Sequence, residues 1–508
     1  MTGDQPGPQH TETPPRAASP LEPEDWEEFR ALGKQIIDDV VDHFAGIRER
    51  PVWQPVPDEV RSALGSGLPT GARPMTAVYE EFRSLILPYP RGNTHPRFWG
   101  WVNGSGLPVA AYADLLASAM NATLGAGENA AMLVEEQVVT WLQQAFDWPE
   151  TGSGLLTSGC SMGQIIALAA ARQSRAAEWN IRHAGAREAP QLTVYGSTET
   201  HHSFEKAVEL LGIGRAFFRT IPVDPDFRID VPALRRAIHK DRAEGLRPVC
   251  LVGNVGTVNT GAVDPLDDLA DIAREEDLWL HLDGAFGAFA YLLPERRPLL
   301  AALNRADSLV FDLHKWFYLP FDVSCVLVRE PGALEDTFSS HADYISRTPD
   351  GPASNPVAFA DRGIEQSRRF RALKVWFALR THGLDGFARS IAGNIDQVAH
   401  LTRLVDASPR LETVSRSPLN IACFRYVRPG ARLDELNALN QEILSRLQLR
   451  GLAVPSHTLI DGKFVIRVAN TNHRTVRSDM DFLVDQVVSL GDGLLKDGML
   501  DDGEGEGH

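Results

Sequence analysis

Apolar positions along this chain follow two rhythms, and the places where one gives way to the other mark its organisation. From Asp25 onward Trp26, Phe29, Leu32, Ile36, Val40 and Phe44 recur at helical spacing, which predicts an amphipathic helix ending before Pro51. In the middle of the chain, short continuous apolar runs alternate with helical segments. Leu155-Leu156-Thr157 leads into a helix over 164–175, the run 192–195 precedes one around 204–211, and the run 249–252 precedes one over 266–274. Further runs at 278–282, 308–311 and 324–328 complete the series. Such alternation predicts an α/β fold whose sheet is mainly parallel and covered on both faces, because uninterrupted apolar strands need helices above and below. From about Ser390 the pattern shifts to a long helix, strand-like runs at 421–426 and 464–468, and a final helix. That part reads as a smaller α+β domain.

At 508 residues, 43% of them hydrophobic, the chain can bury a large core and divide into two or three units. Lys and Arg total 50 against 67 Asp and Glu, a formal net charge of −17, which argues against nucleic acid or an anionic membrane as partner. Residues 1–24 and the acidic tail 496–508 are expected to be disordered. The N-terminal stretch lacks the apolar core of a signal peptide, and no apolar run approaches a membrane span, so a soluble cytoplasmic protein is expected. Cys160, Cys250, Cys325 and Cys423 form no CxxC pair and read as reduced core thiols; no metal site is expected.

Two strand ends carry chemistry. The run Leu278-Trp279-Leu280-His281-Leu282 stops at Asp283, an acid that would be a costly desolvated anion unless paired. Between the runs 308–311 and 324–328 sits Asp312-Leu313-His314-Lys315-Trp316. A carboxylate and a lysine at the ends of core strands suit pyridoxal 5'-phosphate (PLP). That cofactor needs a lysine to hold its aldehyde as a Schiff base and an acid to keep its pyridine nitrogen protonated. Upstream, Thr157-Ser158-Gly159-Cys160-Ser161-Met162-Gly163 turns from a strand end into a helix start, where unpaired N–H groups and the helix dipole suit a phosphate. Thr200-His201-His202-Ser203 and Asn254-Val255-Gly256-Thr257 follow two other strand runs, and the later segment 368–380 has apolar positions at helical spacing.

Together these segments resemble the group II PLP-dependent amino acid decarboxylases, the family of the aromatic-L-amino-acid, glutamate and histidine decarboxylases, over roughly residues 25–490. The resemblance implies PLP fold type I (aspartate aminotransferase-like), with a mainly parallel seven-stranded sheet. It further implies an N-terminal helical segment over 25–94 lying across the partner of a homodimer, a large PLP-binding domain over 95–390 and a small C-terminal α+β domain over 391–495. Carried over position by position, it puts Lys315 on the cofactor aldehyde, Asp283 on the pyridine nitrogen, and His201 and Ala285 against the ring. Cys160, Ser161 and His314 fall at the phosphate and Thr257 beside the cofactor. Met162 replaces the family's usual Glu, Gly284 and Phe286 depart from its Asp-Ala-Ala-Tyr, and Asp312 stands where the animal enzymes carry Asn.

The resemblance also implies loss of CO₂ from an L-amino acid through the Schiff base and a quinonoid, after which a loop tyrosine delivers a proton to Cα and an amine results. The corresponding segment, 341–365, has one tyrosine, Tyr344, whereas counting back from Arg369 without gaps puts Phe359 at the family's tyrosine position. Relatives with phenylalanine there are aldehyde synthases, in which O₂ intercepts the unprotonated species and gives aldehyde, ammonia, CO₂ and peroxide. Amine formation is the expected outcome, the aldehyde synthase its alternative, and a PLP-binding protein without turnover a minor third. By alignment Trp101, Val102, Thr123 and Phe359 belong to the substrate pocket. Trp101 points to a flat aromatic substrate, Asn103, Asn121 and Thr123 to a more polar one, and no basic residue is assigned to a distal carboxylate. An aromatic L-amino acid is expected.

Overall fold

The computed structural model of the protein describes residues 21–340, 350–351, 354 and 358–497. The chain divides into two units, one of residues 1–50 and 59–88, the other of residues 51–58 and 89–508. In the first, Asp25 caps the helix Trp26–Ala45, its carboxylate accepting from the N–H groups of Glu27 (2.7 Å) and Glu28 (3.2 Å). Of that helix only Leu32 is buried, while Trp26, Phe29 and Val41 are exposed.

The described residues of the second unit hold twelve strands: β1 (Phe98–Trp99), β2 (Ser153–Thr157), β3 (Leu192–Ser197), β4 (Phe218–Ile221), β5 (Arg247–Asn254), β6 (Trp279–Asp283), β7 (Ser308–Asp312), β8 (Ser324–Val328), β9 (Leu411–Arg416), β10 (Ile421–Tyr426), β11 (Val454–Ile460) and β12 (Lys463–Ala469). Seven of them form one sheet in the order β2-β8-β7-β6-β5-β3-β4. Only β8 runs against its neighbours; the pairs among β7, β6, β5, β3 and β4 are parallel. This is the fold-type-I α/β architecture expected from the alternating runs. The strands are buried along nearly their whole length because helices pack on them; the helix Cys160–Arg175 crosses β5 to β8.

Polar residues gather where the parallel strands end. Asn254 closes β5 beside Asp283, which closes β6, and Asp312 closes β7. The carboxyl ends of parallel strands form the crevice in which such folds bind ligands.

A second sheet, in the order β1-β11-β12-β10-β9, is built from the C-terminal residues together with β1, which pairs parallel with β11. It has its own apolar core, centred on Trp99, Phe424, Tyr426, Ile466 and Met480. The long helix Ala372–Ala407, interrupted at Gly383 (φ +65°), runs straight across residue 390, so the shift in pattern noted there falls inside a helix.

One ion pair lies wholly inside the larger core. Arg368 donates to both oxygens of Glu135 (2.5 and 3.1 Å) and to the carbonyls of Leu124 (3.1 Å) and Leu156 (2.6 Å). Removing one partner leaves an uncompensated buried charge, which costs about 3–5 kcal/mol. Arg368→Met should therefore lower stability by that order in urea denaturation, and the double variant Glu135→Met/Arg368→Met should recover most of the loss. A double variant as unstable as the single one would show that the charge pair is not the origin.

Candidate active site

Lys315 stands on a turn that its neighbours hold rigid. Trp316 is fully buried and donates its indole N–H to Asn394 Oδ1 (3.0 Å), which also accepts from the Tyr318 hydroxyl (2.8 Å). Phe317 stacks on Phe387 with ring centroids 3.8 Å apart. From the other side, Gly104 comes so close that an added Cβ would lie 2.4 Å from the His314 carbonyl oxygen and 2.5 Å from that of Lys315. Only glycine fits there.

The lysine opens into a cavity of about 410 Å³ lined by residues from the ends of β2, β3, β5, β6 and β7. Its Nζ lies 2.8 Å from Asp312 Oδ2, a partner that sequence reasoning had noted only as a departure from Asn. The other Asp312 oxygen accepts from the Cys160 N–H (2.9 Å) and from the Ser324 hydroxyl. Burial works to raise the Asp312 carboxyl, but Lys315, His314 and the hydrogen bonds from Lys315 and Cys160 together outweigh it and hold the acid below the usual carboxylate range. Burial likewise works to lower Lys315, and Asp312, Cys160 and Asp283 together more than offset it, so the amine is held above its ordinary value.

Asp283 lies at the floor, buried, its Oδ1 accepting from the Ala285 N–H (3.0 Å) and its Oδ2 from Gln164 Nε2 (2.9 Å). Burial pushes its carboxyl up to about 6, against the lowering effect of Lys315 and these hydrogen bonds. Among the described residues no cation forms an ion pair with it. His201 lines the same cavity, its Nδ1 2.6 Å from Ser203 Oγ and its ring 4.2 Å from that of His202. Burial, with Lys315 and His202 adding to it, pushes the imidazole down to about 4, so it is neutral at physiological pH. The turn carrying His201 is fixed from below. Asn254 Nδ2 faces Ser197 Oγ and Thr200 Oγ1 (3.3 Å each) and donates to the buried Asp264 (2.8 Å).

Trp101, Val102, Cys160, Ser161, Ala285 and His314 also line the cavity. The amide of Cys160 is spent on Asp312, which leaves Ser161 as the exposed side chain at the start of its helix. His314 is held through Nδ1 by the backbone of Val323. Three expected residues are placed elsewhere. Thr257 does not line the cavity: its hydroxyl lies 3.0 Å from Thr260 Oγ1 and accepts from the Ala262 N–H (3.1 Å), closing its own turn. Thr123 lines a separate surface depression with Ser118, Asn121 and Arg369. Phe359 is fully buried, with the guanidinium groups of Arg368 and Arg362 lying 5.0 and 5.5 Å from its ring centroid. The residue that the gap-free count offers for the family's tyrosine position therefore does not line this cavity. Tyr344 lies outside the described residues. Gln164, Ser203 and Glu199 line the cavity and were not singled out from sequence.

This arrangement fits PLP. The lone buried acid at the floor calls for a cationic N–H, which a protonated pyridine nitrogen supplies. A Cβ added at Gly159 would meet nothing closer than His314 Cε1 at 4.0 Å, so the cavity beside the helix start has room for a phosphate. Asp283 would hold the ring nitrogen, Lys315 the aldehyde, and Ser161 and His314 the phosphate, with His201 and Ala285 at the ring.

The raised Asp283 carboxyl has a measurable consequence for the cofactor-free protein. Its folded pKa of about 6 exceeds the unfolded value, so its contribution to stability is complete below about pH 4 and is lost as pH rises through 6. Asp283→Asn should therefore stabilise the cofactor-free protein above pH 6 by about 2–3 kcal/mol relative to wild type, with no difference near pH 4. Adding PLP should reverse the order at pH 7.5. Thermal denaturation of both proteins across this range, with and without PLP, checks both signs.

Comparison with known proteins agrees with this chemistry. The pyridoxal-dependent decarboxylase conserved domain matches residues 57–427. An aromatic-L-amino-acid decarboxylase of Bacillus atrophaeus is 34% identical over 462 residues, covering 89% of this chain and 93% of its own length. A phenylacetaldehyde synthase of Petunia hybrida is 30% identical over 466 residues, covering 88% of this chain and 90% of its own. Among solved structures, Oryza sativa TDC with PLP and tryptamine superposes with a TM-score of 0.87 at 26% identity, over 93% of this chain and 99% of that one. With the lysine, the acid and the helix start brought together in one crevice, the chain belongs to the pyridoxal-dependent decarboxylase family and is a PLP-dependent carboxy-lyase acting on an amino acid.

Proposed function

We propose that the substrate is an aromatic L-amino acid and the product its amine. The observation that carries this reading is the composition of the cavity wall. Trp101, Val102, Val258, Phe286 and Phe321 supply flat apolar surface, and Lys315 is the only lysine or arginine among the described lining residues. A substrate with a distal carboxylate would find no cation for it, whereas an aromatic ring finds surface to bury. Several relatives of similar length are named for tyrosine or tryptophan decarboxylation, which supports the same choice.

When bound, PLP supplies an electron sink for the Cα bond that breaks. Asp283 would keep the proton on its ring nitrogen, Lys315 would hold its aldehyde, and the apolar walls would exclude water around the departing carboxylate. Phe359, the residue behind the aldehyde alternative, is fully buried and does not line the cavity, which supports the amine reading. Tyr344 stands as the acid for Cα.

A second copy of the chain is proposed to cover the N-terminal helix. Trp26, Phe29 and Val41 are 52%, 43% and 47% exposed, an apolar stripe that a homodimer would bury.

Three measurements test these readings. Borohydride reduction should fix PLP covalently to the wild-type protein and not to Lys315→Ala; covalent trapping in that variant would displace the lysine. Incubation with the twenty amino acids and with DOPA should release CO₂ and amine from tryptophan, tyrosine, phenylalanine or DOPA without stoichiometric O₂ uptake, and Tyr344→Phe should shift product toward aldehyde and peroxide. Wild-type O₂ consumption matching CO₂ release would instead establish the aldehyde synthase reading. Sedimentation should show a dimer, and a stable active monomer would contradict it.

A further inference from the structure

Beneath the cavity a continuous set of hydrogen bonds joins two groups that the cofactor chemistry uses separately. Gln164 donates from Nε2 to Asp283 Oδ2 (2.9 Å), the Ser203 hydroxyl donates to Gln164 Oε1, and Ser203 Oγ lies 2.6 Å from His201 Nδ1. Gln164 is 1% exposed and Ser203 4%, so both are nearly removed from bulk solvent. Both reach these partners from helix starts, Gln164 in Cys160–Arg175 and Ser203 at the head of Ser203–Leu210.

The direction of each bond follows from what its neighbour can do. A carboxylate only accepts, so Gln164 must turn its NH₂ to Asp283 and its carbonyl oxygen to Ser203. That oxygen also only accepts, so it takes the single hydroxyl proton of Ser203. Ser203 Oγ can then only accept from the imidazole, which places the proton of neutral His201 on Nδ1 and leaves Nε2 bare. The Ser203 backbone N–H also faces Nδ1, at a longer 3.3 Å, and favours the opposite tautomer. Satisfying that contact while Asp283 is charged would strip the buried Gln164 oxygen of its donor, a loss of about 1–3 kcal/mol.

We propose that Gln164 and Ser203 are positioning residues that tie the tautomer of His201 to the charge on Asp283. An anionic Asp283 sets the chain running from His201 Nδ1–H to the carboxylate. A donor at the Asp283 Oδ2 position reverses every link: Gln164 rotates its amide, Ser203 turns its hydroxyl to Nδ1, and the imidazole proton moves to Nε2. The inference rests on the PLP reading only for its consequence. With a pyridinium holding Asp283 ionised, His201 presents a bare Nε2 and acts there as a hydrogen-bond acceptor, so the proton for Cα comes from another group.

Asp283→Asn supplies the reversing donor. The Ala285 N–H holds the carbonyl oxygen of the new amide at the Oδ1 position, which turns its NH₂ toward Gln164. The test uses cofactor-free protein labelled with ¹³C,¹⁵N-histidine at pH 8, where Asp283 is charged. The His201 ring signals are assigned by their loss in His201→Gln. Wild type should show the Nδ1–H pattern and Asp283→Asn the Nε2–H pattern. Ser203→Ala should abolish the difference between the two backgrounds, and Ser203→Thr, which keeps the hydroxyl, should preserve it. Gln164→Met gives the same readout from the other link and must also erase the difference. One tautomer common to wild type and Asp283→Asn, or a difference that survives Ser203→Ala or Gln164→Met, would overturn the proposal. None of these signals needs PLP or turnover, so failure of the decarboxylase reading would show itself separately, as absence of PLP binding or CO₂ release.

Discussion

The site is organised by an imbalance of buried charge. Asp283 and Asp312 end neighbouring-region strands of one sheet and face the same cavity, while a single ammonium, Lys315, stands near them. Lys315 pairs with Asp312 at 2.8 Å, and that pair settles both partners in their charged forms. Asp283 is left with hydrogen bonds and no counter-ion, and its carboxyl rises to about 6. A buried acid in that position destabilises the empty fold at neutral pH and attracts a ligand bearing a positive N–H. A protonated pyridine nitrogen would answer that demand, and the same residue would then be a cost to the apo fold and a source of affinity in the holo one.

Such an imbalance is useful only if the groups cannot relax to cancel it. Several features prevent that. Asn394 ties down Trp316 and Tyr318 directly after the lysine, and Gly104 wedges a second backbone against the same turn. The loop carrying Trp101 is held by Arg467, whose guanidinium, 3% exposed at residue level, donates to the carbonyls of Trp101 (2.8 Å) and Asn259 (2.9 Å) and to that of Val258. Arg467 belongs to β12 of the small sheet, so that sheet contributes directly to the wall of a cavity whose floor belongs to the large one. Preorganisation of this kind lets fixed dipoles and charges act without reorganising when substrate arrives.

Much of this was legible in the sequence because it is local. Asp283 and Lys315 each adjoin an apolar run, and the strand that precedes a residue is enough to place it at the mouth of the sheet. Cys160, Ser161, His201, Ala285 and His314, carried over from the family resemblance, line the same cavity. What escaped notice is contact between distant residues. Gln164 lies 119 residues from Asp283 and 39 from Ser203, and no short motif joins them. Thr257 was carried over from the family pattern, but a threonine can turn its hydroxyl back on its own turn, and this one does. Thr123 and Phe359 were carried over by alignment across segments whose length varies between relatives, and neither lines the cavity.

The protonation states also constrain how a proton can reach Cα. His201 is pushed down to about 4 and His314 below its ordinary value, both chiefly by burial, so neither imidazole carries a spare proton at physiological pH. Glu199 is moved the other way by burial, and Lys315 is held protonated in the cofactor-free protein by Asp312. The described cavity therefore keeps a proton on the lysine, while its histidines are acceptors. A decarboxylase that must protonate one carbon quickly, before oxygen reaches it, gains from this separation. The bases near the cofactor cannot deliver a proton to the wrong atom, and delivery falls to a group that approaches with the substrate in place.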